Sequence, residues 1–510
     1  NRKYDNHILY ARMLGYDNEQ LYVLSQKIVS GSQNAMFLQA YNISYTDIYC
    51  YSAAHEKKSL KKWQVELGIR HMEIDIPWDQ PVPEDKWLLV ADYCANDVIS
   101  TEKVFEATQG SWTARQILAE LTGLTPNDTT NKQATRFIFG NDKNPQSQFV
   151  YTDLSEMFPG YKYDAGISTY RGEVVGEGGY VYAEPGMYEN VPVLDVESMH
   201  PASIIALNLF GDIYTAKFAE LVNVRKAIKH KRYDEVRNKF DGKLARYLES
   251  EEMAKDLSNA LKTVINSVYG LTSAKFDNPF RDLRNVDNIV AKRGALFMID
   301  LKHEVQDRKF QVAHIKTDSI KIPNADSKII KFVEEFGAKY GYNFEQDDDS
   351  PYQKMCLVND AVYIAKTATG DWSAVGTQFA VPYVFKTLFS KEDILIDDLI
   401  EVKNVTNPAA MYLDFNETLG PNEHDYQFIG KAGSFVPIKD GCGGGILLRK
   451  KDEKYNAVVG TKGYRWMIPE MVLNLGKEDD IDMSYYDRLV KEAITKVNEF
   501  GNFDDFVKEN

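Results

Sequence analysis

Two aspartates and two polar helix faces hold the residues best suited to chemistry. Asp195 ends the short apolar run "NVPVLDVES". A carboxylate there is costly unless it is paired, caps a helix or binds a metal. Asp318 lies in "AHIKTDSIKI", where Lys-Thr-Asp-Ser breaks an apolar stretch. A carboxylate at the tip of a β-rich segment is well placed to hold a metal ion. In "LKTVINSVYG", read as helix, Lys262, Asn266 and Tyr269 fall at i, i+4 and i+7 and share one face. Leu257, Leu261, Val264 and Val268 share another, the buried one. The polar stripe suits the wall of a nucleotide site, or simply the solvent face of an amphipathic helix. Arg225, Lys229 and Arg232 repeat the same spacing. Three cations on one face repel one another unless an anion lies against them, and a triphosphate meets that need.

The elements that must position these residues belong to a long, ordinary-looking chain. Its 510 residues, 44% hydrophobic and 26% charged, imply more than one globular domain. No apolar run approaches the roughly 18 residues of a membrane span. No signal peptide is visible, and Asn1 reads as the middle of a longer sequence. Cys50, Cys94, Cys356 and Cys442 are far apart with no CxxC pair, which argues against a zinc knuckle or disulfide framework and suits a reducing cytoplasm. A net charge of −15 disfavours nucleic acid globally. Residues 217–246, however, hold ten Lys or Arg against four Asp or Glu, enough local charge to grip phosphates or merely to solvate a helix.

Periodicity assigns "DYCANDVISTEKVFEAT" to a helix and "NVPVLDVES" to a short buried strand, with a helix starting near Pro201. It predicts helices over 216–240 and 250–270, with a turn near Asp241-Gly242. "FQVAHIKTDSIKI" reads as strand, tip, strand; "DSKIIKFVEEFGAKYG" as helix; "EQDDDS" as a solvated acidic loop; "NDAVYIAKTATGDWSAVG" as a hairpin. An amphipathic helix is expected near 484–500. "GCGGG", 441–445, reads as a turn, and Arg449, Lys450 and Lys451 as a basic cluster that grips duplex DNA or sits in a solvated loop.

In order and wording, "DVESMHPASI", "KTVINSVYG" and "KTDS" resemble the three polymerase motifs of family B DNA polymerases, DxxSLYPSI, KxxxNSxYG and DTDS. "EGGYVYAEPGMY", 177–188, resembles the family's glycine-rich segment, and "NDAVYIAK", 359–366, a segment that carries a tyrosine near the primer terminus. "NRKYD" and "YCAND" are similar to the second and third exonuclease motifs. KxxxNSxYG is the most specific of these seven segments, which span most of residues 1–366.

The resemblance implies a mixed α+β multidomain fold: a right-hand polymerase with an antiparallel palm sheet, two-helix fingers and a thumb, plus a partial RNase H-like exonuclease domain. The expected boundaries are 1–112 for the exonuclease part, 113–180 for a linking region, 181–212 and 271–350 for palm, 213–270 for fingers, and 351–510 for the end of the palm and the thumb. It implies transfer of a nucleotide from dNTPs to a primer 3′-hydroxyl on primer-template DNA, with two Mg²⁺ ions and Mn²⁺ as an alternative. Asp195 and Asp318 would be the catalytic, metal-holding carboxylates, and Val196 would add a backbone carbonyl. Arg225, Lys229 and Lys262 would clamp the triphosphate. Asn266, Tyr269 and His200 would meet the incoming nucleotide. Gly178 and Gly179 would approach the template, and Tyr363 the primer end. Asp5, Tyr93 and Asp97 would be exonuclease residues.

Three departures stand out. Lys316 replaces the first acid of DTDS and points either at the metals or at primer phosphates. His200 replaces the tyrosine that rejects ribonucleotides, so weaker sugar discrimination is expected. The first exonuclease motif would lie before Asn1, so another segment or chain would have to complete that domain. The intervals of 67 residues from Asp195 to Lys262 and 56 from Lys262 to Asp318 leave room only for a bare two-helix hairpin. They lack the insertions of protein-primed relatives and suggest a bacteriophage-like enzyme in a host cytoplasm. A catalytically silent DNA-binding scaffold and a free-standing 3′–5′ exonuclease are the competing readings.

Overall fold

The computed structural model describes residues 2–43, 47–51, 57–76, 80–347, 349–416 and 423–508; Asn1 of "NRKYD" and Asp348 of "EQDDDS" lie outside them. The architecture is mixed α+β with several antiparallel sheets, and it divides into two compact units. One unit joins residues 1–129 to 399–485, and the other joins 130–398 to 486–510. Among the described residues, no helix is long and apolar enough to cross a membrane.

The unit of residues 130–398 and 486–510 is organised by a five-stranded sheet. Its strands run in the order Val181–Ala183, His314–Lys316, Ser319–Lys321, Val193–Val196, Phe344–Gln346, and every neighbouring pair is antiparallel. Register decides what each face carries, because successive side chains alternate sides. Asp195 lies opposite Ser319 and Glu345, Lys316 opposite Ser319, and His314 opposite Lys321. These residues therefore share one face. Leu194, Val196, Ile315, Ile320 and Phe344 share the other and are almost entirely buried. Each such burial contributes roughly 1.5–3 kcal/mol. That apolar face meets the helix Ile289–Asp307, where Phe297 packs 6.1 Å from Phe344. Gly294 of the same helix is needed for space: a Cβ there would come within 2.6 Å of Met199 Sδ.

Three helices surround the polar face's sequence neighbours. Met199–Ala206 follows the Asp195 strand directly. Glu251–Thr272 starts at Ser250, whose side chain caps Met253 N, and opens with Glu251 and Glu252 at its positive end. Leu257, Leu261, Val264 and Val268 are fully buried, and Lys262 and Asn266 are exposed on the opposite side, as the spacing predicts. Gly211–Lys229 is shorter than its periodicity suggests. The chain turns left-handed at Lys231 (φ +57°) and continues in short 3₁₀ turns to Leu248. Arg232 thus leaves the face of Arg225 and Lys229 and pairs with Glu235 at 3.2 Å. The expected three-cation stripe contains two. A second sheet, ordered Trp372–Val375, Val362–Lys366, Tyr352–Asn359, Gly186–Val191, carries Tyr363. Helix Met483–Asn498 contributes Ala493 and Val497 to a core with Ile364 and Phe379.

In the other unit, helix Trp87–Ala107 carries Tyr93 and Asp97. Residues 399–485 form two antiparallel sheets, one of three strands and one of four, the latter ordered Tyr426–Gly430, Ala410–Asp414, Ile446–Lys451, Lys454–Ala457. Arg449, Lys450 and Lys451 lie on its third strand, and Lys450 pairs with Glu453.

Candidate active site

The polar face of the five-stranded sheet gathers carboxylates at one end. Strands His314–Lys316 and Ser319–Lys321 are joined by a two-residue loop, Thr317-Asp318, so Asp318 projects from a hairpin tip. Thr317 takes φ +57°, a strained conformation for a β-branched residue. Its amide donates to the Tyr180 carbonyl at 2.9 Å, and the Asp318 carbonyl accepts from Val196 N at 2.8 Å. That last bond ties the hairpin tip to the residue after Asp195.

A third acid joins them from "EQDDDS", the segment read as solvated. Asp347 follows the edge strand Phe344–Gln346 and donates its amide to the Val193 carbonyl at 3.1 Å. Its carboxyl hydrogen-bonds that of Asp195. The correction has a plain cause. An acidic run looks solvated until strand pairing lays its first aspartate beside another carboxylate. Burial, then the Asp347 hydrogen bond and charge, then Asp318, push the Asp195 carboxyl up to about 7, with Lys321 opposing. Asp318 is open to solvent on one side, yet the surrounding protein still raises its carboxyl above the ordinary range.

Lys321 is the group that sequence reading overlooked. It is 4% exposed and sits 5.4 Å from the Tyr363 ring centre. Burial lowers its ammonium's pKa, and the charges of Asp195, Asp347 and Asp318 pull it back up. The alternation in "SIKI" was a usable signal: with Ile320 inside, Lys321 must share the face of Asp195. Tyr363 feels Asp347 and Asp195 electrostatically, and its ring lies 5.9 Å from His314. Lys316 is exposed, and its backbone carbonyl accepts from Asp318 N at 2.8 Å.

His200 stacks on Tyr269 with ring centres 3.9 Å apart and planes 12° from parallel. This brings the Lys262–Asn266–Tyr269 face to the helix after Asp195. Burial pushes the His200 imidazole down to about 4, so it is neutral at physiological pH, and its Nδ1 is buried without a partner. Arg225 is half-buried with Nε unpartnered, and desolvation lowers its pKa against the pull of Glu197. Lys229 pairs with Glu345 at 3.1 Å. Gly179 (φ +148°) abuts the hairpin tip, since a Cβ there would sit 3.0 Å from Thr317 Cγ2; Gly178 faces open space.

Two of the expected exonuclease residues, Tyr93 and Asp97, share the helix Trp87–Ala107. The Asp97 carboxylate is paired with Lys61 at 2.5 Å and also accepts from Gln64. The same ammonium lies 3.9 Å from the Tyr93 ring centre. Asp5 begins helix Asp5–Met13.

The donor set around Asp195 fits a divalent metal. The Asp195 carboxyl feels both Asp347 and Asp318, and a cation there would relieve that repulsion. No protein-family model and no curated protein matches the sequence. Among solved structures, the family B DNA polymerase of Pyrobaculum calidifontis aligns with 86% of this chain at 16% identity and a TM-score of 0.42. The chain spans 60% of the length of that structure.

Proposed function

We propose that this chain is a template-directed DNA polymerase that adds dNTPs to a primer 3′-hydroxyl. The observation behind the reading is that Asp347 and Asp318 both act on the Asp195 carboxyl, while His200, on the helix after Asp195, stacks on Tyr269 of the helix that bears Lys262 and Asn266. The three polymerase-like motifs contain Asp195, His200, Lys262, Asn266, Tyr269 and Asp318, but not Asp347 or Lys321.

Asp195, Asp318 and the Val196 carbonyl would hold two Mg²⁺ ions, with Asp347 as an additional ligand. The ions lower the pKa of the primer hydroxyl and neutralise the leaving pyrophosphate. Lys262 and Arg225 would bind the triphosphate oxygens, and the unpartnered Arg225 Nε suits an anion that arrives with substrate. Lys229 would have to leave Glu345 to join them. Lys321 holds the carboxylates' mutual repulsion in check before metal arrives. The His200–Tyr269 stack would floor the nucleotide pocket, and Tyr363 would face the primer terminus. A bacteriophage-like origin and priming by nucleic acid belong to the same proposal.

Primer extension with Mg²⁺ and four dNTPs, run beside Asp318→Asn, tests it. Extension by the wild type that falls at least about 100-fold in the variant is expected. A folded, DNA-binding wild type that extends nothing overturns the proposal in favour of a silent scaffold.

A further inference from the structure

We propose that Glu197, His230 and Glu345 form a separate divalent-cation site, of the class that accepts imidazole and carboxylate ligands together, such as Zn²⁺, Mn²⁺ or Co²⁺. His230 Nε2 lies 3.6 Å from Glu197 Oε1 and 3.3 Å from Glu345 Oε1. The three ligand atoms fall within 4.8 Å of one another. With metal–ligand bonds of about 2.1 Å, ligands sit roughly 3.0 Å apart in an octahedron and roughly 3.4 Å apart in a tetrahedron. The two separations from His230 are close to that spacing already.

A second observation points to a ligand. The Glu197 side chain is 10% exposed, and its Oε1 is buried without a hydrogen-bond partner. A bare carboxylate oxygen in that position is costly unless a cation meets it. The other oxygen of each carboxylate is engaged: Glu197 Oε2 with Lys226 at 2.9 Å and Glu345 Oε2 with Lys229 at 3.1 Å. The lysines fix both carboxylates so that each turns its Oε1 toward His230. They also cancel the carboxylates' charge, so the site binds its ion more weakly than an uncompensated pair would.

The bound ion would join the C-terminal end of helix Gly211–Lys229 to two strands of the five-stranded sheet. Its ligands are two residues from Asp195 and two from Asp347, but the argument uses neither, and the site stands whether or not the chain polymerises DNA. A protonated His230 bridging the same two carboxylates is the arrangement it competes with.

The test uses the full chain, stripped of metal by chelation, in an Asp195→Asn/Asp318→Asn/Asp347→Asn background that removes the other carboxylate ligands. Co²⁺ is titrated and followed by its visible absorption and by calorimetry. The expected result is one Co²⁺ per chain, weakened at least about tenfold by His230→Gln and by Glu197→Gln. Circular dichroism of both variants establishes that they fold, and the exposed His230 makes His230→Gln the milder change. Absence of Co²⁺ binding, or binding unchanged in both folded variants, overturns the site.

Discussion

The Asp195 carboxyl is buried and hydrogen-bonded to that of Asp347, and so retains a proton to near neutral pH. Its folded-state affinity for that proton is raised, so its stabilisation is complete below about pH 4 and is lost as pH rises through about 7. Asp347→Asn should therefore raise the melting temperature of metal-free protein at pH 8. Mg²⁺ binding near pH 6.5 should release protons, measured as a dependence of calorimetric heat on buffer ionisation enthalpy. The same variant should lower primer extension by about 10–100-fold.

His200 and His314 push in the other direction. Burial holds both imidazoles down at about 4, so the stability they contribute is present above about pH 6.5 and is lost as pH falls toward 4. The Asp195 pair gains stability over the same interval and masks part of that loss. Asp347→Asn should steepen the fall in melting temperature on acidification, and adding His314→Gln should flatten it again.

Sugar selection should follow the stack between His200 and Tyr269. Histidine leaves more room than tyrosine under a ribose, so ATP should be incorporated appreciably beside dATP. His200→Tyr should raise the preference for dATP by about tenfold or more, of the order that one added steric contact supplies. Strong rejection of ATP by the wild type would contradict this assignment.

Gly179 and Thr317 should behave as one unit. Adding a methyl at Gly179 both strains a backbone at φ +148° and drives into the Thr317 side chain. Gly179→Ala should cost about 1–3 kcal/mol in urea unfolding and depress extension by shifting the Asp318 tip. Thr317→Gly, which removes the clash and accepts φ +57°, should recover part of the loss in the double variant.

Lys61 should silence the exonuclease-like residues. With its ammonium on Asp97 and against Tyr93, no Mg²⁺-dependent shortening of 3′-labelled single-stranded DNA is expected. Shortening that disappears in Asp97→Asn would show that Lys61 yields to metal.

What the sequence made legible was whatever depends on short-range spacing. The Lys262–Asn266–Tyr269 face, the strand before Asp195 and the hairpin around Asp318 all follow from periods of 3.6 and 2. Asp347 escaped because its importance comes from pairing between strands about 150 residues apart in sequence, which composition does not encode. Arg232 was misplaced, because nothing in a run of basic residues marks where Lys231 turns left-handed. Lys61 was invisible for the same reason as Asp347: its partner is distant in the chain.

The alternation of the five-stranded sheet also limits how this chain can change over time. His314, Lys316, Ser319, Lys321, Asp195 and Glu345 share a side only by parity. Losing or gaining one residue within a strand would exchange the charged set for the isoleucines and invert the sheet, whereas a change of two would keep every group on its side. Descendants of this sequence should therefore vary the lengths of these strands in even steps, and odd steps should be confined to the loops between them.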